Sequence, residues 1–192
     1  TRVEDATGTI TKTTYDSQGR PSASYLGTDD SGGGSDDMTK VSESIYDGGS
    51  VGNSLVTTRY AFVENSTTDR RDTVYAYDYR GRARFITSPQ APYTVMSYDN
   101  RGRTLTVSQY SSTSGLSSST DPVATTSNRV ARSDTAYDAR GRVYKSTRHE
   151  INQANGASSS TLDSKTWYDA VGRTIKVQGT SLAKTQYDRI GR

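Results

Sequence analysis

Six aspartates in this chain stand four residues ahead of an arginine, each in second place of the run Tyr-Asp-x-x-Gly-Arg. The copies comprise Tyr15, Asp16, Gly19 and Arg20; Tyr77, Asp78, Gly81 and Arg82; Tyr98, Asp99, Gly102 and Arg103; Tyr137, Asp138, Gly141 and Arg142; Tyr168, Asp169, Gly172 and Arg173; and Tyr187, Asp188, Gly191 and Arg192. Acid or base chemistry needs a carboxylate whose surroundings set it apart. These six share one setting, each beside its own Arg and turn glycine, so a structural role is expected of them.

The other reactive side chains are few. His149 is the sole histidine, on an expected strand or loop edge, and there is no cysteine, so no zinc set or disulfide can form. Serine is abundant, but neither a Gly-x-Ser-x-Gly elbow nor a second base for a triad is present. The pairs Asp29-Asp30 and Asp36-Asp37 flank Gly32, Gly33 and Gly34, at a spacing that fits neither an EF-hand nor a calcium-binding nonapeptide. A solvated loop is the expectation. The same stretch lacks the Lys-Ser/Thr ending of a phosphate loop. No catalytic, metal or cofactor residue is therefore expected, and the chain is not expected to be an enzyme. Asn65-Ser66-Thr67 fits the N-glycosylation sequon, and the hydroxyl-rich tracts 111–120 and 158–161 resemble O-glycosylated segments. Glycans are thus one candidate partner.

The elements that must position the motif can be read around it. Strand-forming residues precede each copy, as in 11–15, 73–77 and 94–98, and alternating runs such as Thr104-Leu105-Thr106-Val107 follow it. Strand, tight turn and strand make a β-hairpin. Asp at the first turn position bonds the backbone two residues on, and Gly at the fourth accepts a positive φ, which predicts a type I turn with a G1 bulge. The two middle positions vary, as turn tips do. If hairpins stack side by side, the tyrosines form an aromatic ladder. Each Arg could then stack on a neighbouring Tyr or pair with the motif Asp of the next hairpin.

The six motifs resemble the YD-repeat family, also called Rhs repeats, across nearly the whole chain. Those repeats occur in bacterial polymorphic toxins, toxin-complex shell proteins of insect pathogens, animal teneurins and large bacterial surface proteins. The resemblance implies a long, spiralling antiparallel sheet whose hairpins wrap a hollow or filled interior. The family's core-associated segment, with its aspartate-based self-cleavage site, has no recognisable counterpart, and Asp121-Pro122 reads as loop.

Composition agrees with a repeat. Only 30% of the 192 residues are hydrophobic, and fourteen Tyr stand against two Phe. That is poor material for a thick core but suits a sheet with wet faces. Basic and acidic residues number 24 and 21 and are dispersed, so no nucleic-acid stripe is expected. No apolar run reaches membrane-spanning length, so membrane insertion is not expected.

Motif starts at 15, 46 (a degraded copy, Tyr46-Asp47-Gly48-Gly49), 77, 98, 137, 168 and 187 divide the chain into units of 19 to 39 residues. The longer units add loops opposite the motif at 28–39, 111–128 and 152–161, expected to be exposed. The expected architecture is all-β: a single continuous array over 1–192, about thirteen strands in seven stacked hairpin units, open at both ends. Because the last copy stops at Arg192 and residues 1–10 have the length to complete a repeat, the array is expected to continue, into further repeats or by head-to-tail self-association. The expected work is architectural, as part of an extracellular or cell-surface fibre, sheath or shell. The alternatives are an encapsulating segment of a polymorphic toxin, or an adhesion module that binds glycans or a receptor.

Overall fold

A computed structural model describes residues 1–32, 37–48, 56–62 and 69–188. They form two compact units, Thr1–Ala91 and Pro92–Arg192. The first holds β1 (Arg2–Glu4), β2 (Ile10–Tyr15), β3 (Pro21–Gly27), β4 (Thr39–Tyr46), β5 (Val56–Phe62), β6 (Arg70–Tyr77) and β7 (Ala83–Thr87). The second holds β8 (Tyr93–Tyr98), β9 (Thr104–Tyr110), β10 (Arg129–Tyr137), β11 (Val143–Ile151), β12 (Ser158–Tyr168), β13 (Thr174–Gln178) and β14 (Leu182–Lys184). The fold class is all-β, and within each unit every strand pairs antiparallel with the next in sequence. The strands number fourteen among the described residues, one more than expected.

The motif sets the strand boundaries. β2, β4, β6, β8, β10 and β12 each end on a motif tyrosine. At that tyrosine the register slips, as where Thr14 pairs Ala23 but Tyr15 pairs Pro21. The slip recurs at Tyr46, Tyr77, Tyr98, Tyr137 and Tyr168. A repeated bulge at the same place gives each hairpin the same local twist.

Few apolar side chains are sealed from water. Among the described residues the buried hydrophobic ones are Ile10 and Ala23 in the first unit and Val95, Tyr110 and Ile151 in the second. Leu26, Leu162 and Ile45 stay exposed. In the second unit, cross-strand partners share a face, so Val95, Ser108 and Arg132 stand in one row. Thr106, Ser108, Arg129 and Thr147 are buried beside the apolar residues. This small core is largely polar.

The loops 111–128 and 152–161 are exposed at most positions, as expected, but neither is simply a solvated loop. The 111–128 segment folds back on the sheet and buries Thr120 and Pro122. The Ser108 hydroxyl donates to the Pro122 carbonyl at 2.8 Å, and the Tyr110 hydroxyl donates to that of Thr125 at 3.1 Å. Hydroxyls paired with loop carbonyls let a polar loop cover a sheet. The last four residues of 152–161 are strand and not loop, because β11 and β12 extend through Glu150 paired with Ser160 and Ile151 paired with Ser158. Only 152–157 turns. In the 28–39 loop half of the described residues are exposed, and the Asp37 carboxylate accepts the Thr28 and Asp29 amides at 2.7 Å each.

Candidate functional site

Five corners are fully described, and they share one geometry. The Gly N–H donates to the Asp carbonyl at 2.9–3.1 Å, and the Asp N–H donates to the Arg carbonyl at 2.9 Å. The Asp Oδ1 accepts two amides, those of the fourth and sixth motif residues, as in Gln18 and Arg20 at 2.9 Å each. Gly19, Gly81, Gly102, Gly141 and Gly172 all have positive φ, from 73° to 101°. This is the type I turn with a G1 bulge.

The Arg side chain then folds over its own turn. Arg20, Arg82, Arg103, Arg142 and Arg173 donate from Nε to the Oδ2 of Asp16, Asp78, Asp99, Asp138 and Asp169 at 2.6–2.7 Å. Of the two contacts expected of Arg, the stack on the neighbouring Tyr is seen, but the ion pair is made with its own Asp and not with that of the next hairpin. A four-residue turn brings carboxylate and guanidinium together before any neighbour can compete. The aspartates are held below the usual carboxylate range. For Asp16 and Asp138 the largest cause is the Arg backbone N–H. For Asp78, Asp99 and Asp169 partial burial is the largest single influence and pushes upward, but the Arg hydrogen bonds outweigh it.

The outer face of the guanidinium meets the next corner. Arg20 lies over the Tyr46 ring at 4.2 Å, Arg103 over Tyr137 at 4.4 Å, Arg142 over Tyr168 at 4.3 Å and Arg173 over Tyr187 at 4.3 Å. Each such stack contributes about 0.5–2 kcal/mol, depending on how far it is desolvated. The tyrosine hydroxyl reaches back to the first residue of the preceding return strand. Tyr46 donates to the Pro21 carbonyl at 2.8 Å, Tyr137 to Thr104 at 3.0 Å, Tyr168 to Val143 at 2.7 Å and Tyr187 to Thr174 at 3.0 Å. Tyr77 does the same to Val56 at 2.6 Å, so the degraded copy at Tyr46 still presents the carbonyl its successor needs. Nη1 of Arg103 and of Arg142 lies 3.4 Å from where a Cβ would stand on Gly141 and Gly172. The corner glycine therefore also leaves room for the neighbour's guanidinium.

Some of the site was not expected. The second variable position is occupied by Arg101 and Arg140, which donate to the carbonyls of Ala139 and Ala170 in the following tips at 3.3 and 2.5 Å. The recurrence of Arg at this place in three copies was the available signal. A further turn of the same kind joins β1 to β2, where Asp5 N–H donates to Thr9 at 3.0 Å and Gly8 N–H to Asp5 at 3.1 Å. Glu4 and Thr9 stand there in place of Tyr and Arg.

His149 is not a free edge residue. Its side chain is 10% exposed, with Nε2 2.7 Å from the Asp134 carboxylate and Nδ1 2.8 Å from the Ser158 hydroxyl. The fold thus gathers a Ser, a His and an Asp that sequence spacing does not link. Arg132 already clamps both Asp134 oxygens, at 3.1 and 2.6 Å. Burial is the largest influence on Asp134 and acts upward, but hydrogen bonds from Arg132, Thr106 and His149 hold it below the usual range. The trio fastens β10, β11 and β12 to one another. No group of three or more His, Cys, Asp or Glu that could hold a metal occurs among the described residues. Asn65, Gly191 and Arg192 lie outside them. No helix of the described residues is long and apolar enough to cross a membrane.

No family model and no curated protein matches this chain. Among solved structures it is similar to a chain of the Photorhabdus luminescens Tc holotoxin pore, at 15% identity and a TM-score of 0.59, covering 93% of this chain and 8% of that one. The crystal structure of TcdB2-TccC3-Cdc42 matches at 13% identity and a TM-score of 0.39, over 93% of this chain and 11% of that one. The chain therefore spans about a tenth or less of the structures it resembles. What it shares with the holotoxin chain is the fold, an all-β succession of antiparallel hairpins.

Proposed function

We propose that this chain is a wall segment of a larger YD-repeat shell, with an architectural and not a catalytic task. The observation that carries the reading is the corner ladder. Arg20, Arg103, Arg142 and Arg173 are each neutralised by their own Asp and lie over the Tyr of the next corner, so these hairpins carry the fitting for their successors. Such a ladder supplies cohesion between hairpins where apolar burial is thin. It would serve a fibre equally well. The wall is preferred because the likeness at a TM-score of 0.59 is to a toxin-complex chain. In this reading the chain's partners are further repeats on either side, and it works outside the cell. Electron microscopy of the full-length protein tests the idea. A closed or spiralling wall around an interior is expected, and thin straight filaments would overturn it in favour of the fibre.

A further inference from the structure

Lysines collect on one face of the last four strands, in an arrangement that works against the sheet carrying it. Cross-strand partners share a face, and between β11 and β12 Lys145 is paired with Lys165. Between β13 and β14 Lys176 is paired with Lys184. The pairing of Lys165 with Gln178 and of Trp167 with Lys176 puts all four on the same side. Two rows result. One runs Lys145, Lys165, Gln178, Leu182, and the other runs Trp167, Lys176, Lys184. Like charges directly opposite each other destabilise a sheet, and two such pairs stand side by side here.

One carboxylate answers them. Asp163 meets Lys145 Nζ at 2.9 Å and accepts from the Thr147 hydroxyl at 2.7 Å. The Lys145 hydrogen bond is the largest of the influences that hold it below the usual carboxylate range. Among the described residues, Lys165, Lys176 and Lys184 enter no ion pair. Lys176 Nζ instead lies over the Trp167 ring at 3.9 Å. Trp167 and Leu182 are both exposed, so apolar surface lies among the cations. A groove of about 470 Å³ opens at this place, lined in part by Lys145, Lys165 and Trp167. Asp138 and Arg142, also on its wall, neutralise each other, so its net charge comes from the two lysines.

From this arrangement we infer that this face of β11–β14 binds an acidic polypeptide segment lying across the strands. Neighbouring strands stand about 4.8 Å apart, so the row from Lys145 to Leu182 spans about 14 Å. An extended peptide rises about 3.4 Å per residue and turns alternate side chains to one side. Acidic residues at every second position over about five residues therefore match the length of the row. Asp163 shows the chemistry within the chain itself, a carboxylate received by an ammonium group and a hydroxyl. Single-stranded nucleic acid is the poorer match, because the ring on which a base would stack already carries Lys176. The inference goes beyond the wall reading and stands without it.

Trp167 is the only tryptophan of the chain, so its fluorescence reports on this face. The test titrates the 192-residue chain with a short peptide of alternating Glu and Ser, with its Gln-for-Glu counterpart, with oligothymidylate and with phosphatidylserine vesicles. The acidic peptide should shift the emission and bind at least about tenfold more tightly than the neutral one, a margin that shrinks as salt is raised. Lys165→Gln and Lys184→Gln should each weaken the acidic peptide about threefold, the scale of one exposed ion pair. Each also removes a like-charge pair, so neither should melt below the parent, and lost binding cannot be mistaken for a lost fold. Equal binding of the two peptides, a preference untouched by either variant, or no emission change with any probe would each overturn the inference. So would oligothymidylate or the vesicles taking the face at a lower concentration than the acidic peptide.

Discussion

Replacing Gly102 with alanine isolates what the backbone of one corner demands. Gly102 has a φ of +83°, and a Cβ placed there meets nothing within 4 Å, so no neighbour contributes to the cost. What remains is the intrinsic penalty of the left-handed region for a residue with a Cβ, about 1–2 kcal/mol. For a chain of this length each kcal/mol moves Tm by roughly 2–4 °C, so a fall of roughly 2–8 °C is expected. Asparagine tolerates this region and should cost clearly less than alanine, whereas valine, branched at Cβ, should cost more. Gly141→Ala provides the companion measurement. Its φ of +85° is nearly the same, but its Cβ would press on Arg103 Nη1 at 3.4 Å, so any excess over Gly102→Ala reports the rigidity of the ladder. Thermal melts followed by circular dichroism read all four variants. An alanine variant that melts with the parent, or an asparagine variant as damaged as the valine one, would refute the turn assignment.

Gly156→Ala should be among the most damaging small substitutions in the second unit, since its Cβ would stand 1.7 Å from the Thr126 carbonyl oxygen at a φ of +68°. About 1–3 kcal/mol of overpacking then adds to the left-handed cost, and urea unfolding with hydrogen exchange at Tyr110 and Arg129 should show the loop released. Tyr168→Phe removes the 2.7 Å bond to the Val143 carbonyl but keeps the ring under Arg142, and should lower stability by about 0.5–1.5 kcal/mol in urea unfolding; Tyr168→Leu should lower it further by losing the stack. Acid should loosen the corners together. The motif aspartates are held below their unfolded values, so their contribution is fully present above about pH 4 and is lost as pH falls through the folded values. A melting temperature that stays level from pH 6 down to pH 3 would contradict that.

The corner was legible in the sequence because its code is local. Asp, two free positions and Gly determine a turn within four residues, and the tyrosine before it marks where the strand stops. The Arg side chain was expected on the neighbouring Tyr or on the Asp of the next hairpin, and it takes that Tyr but pairs with its own Asp. Chain closure accounts for the pairing: Asp138 is four residues from Arg142 and is reached by a turn already formed. That part of the 111–128 loop lies against the sheet was not legible, for a different reason. Hydroxyl-rich segments read as solvated, yet Ser108 and Tyr110 lend hydroxyls from the sheet to the carbonyls of Pro122 and Thr125, which makes burial of a polar loop tolerable. The Asp134, His149 and Ser158 contact depends on the register of three strands, and no spacing along one chain reveals it.

The turn between β1 and β2 separates two functions that the motif otherwise presents together. Asp5 and Gly8 reproduce the corner's backbone bonds, and Asp5 Oδ1 accepts the Thr7 and Thr9 amides at 2.9 Å each, with neither Tyr nor Arg nearby in the run. Asp and Gly are therefore sufficient to turn the chain. That hairpin bends at the end of its unit opposite the corners at 15–21 and 77–83, where no motif turn follows for it to meet. Tyr and Arg occur where one corner succeeds another, and their contacts run outward to that neighbour. A hairpin could thus lose Tyr or Arg and still close, while the seam to its successor weakens. The degraded copy at Tyr46 illustrates the point: it keeps the ring under Arg20 and leaves the Val56 carbonyl for Tyr77, so the seam continues through a unit whose Gly-Arg ending is gone.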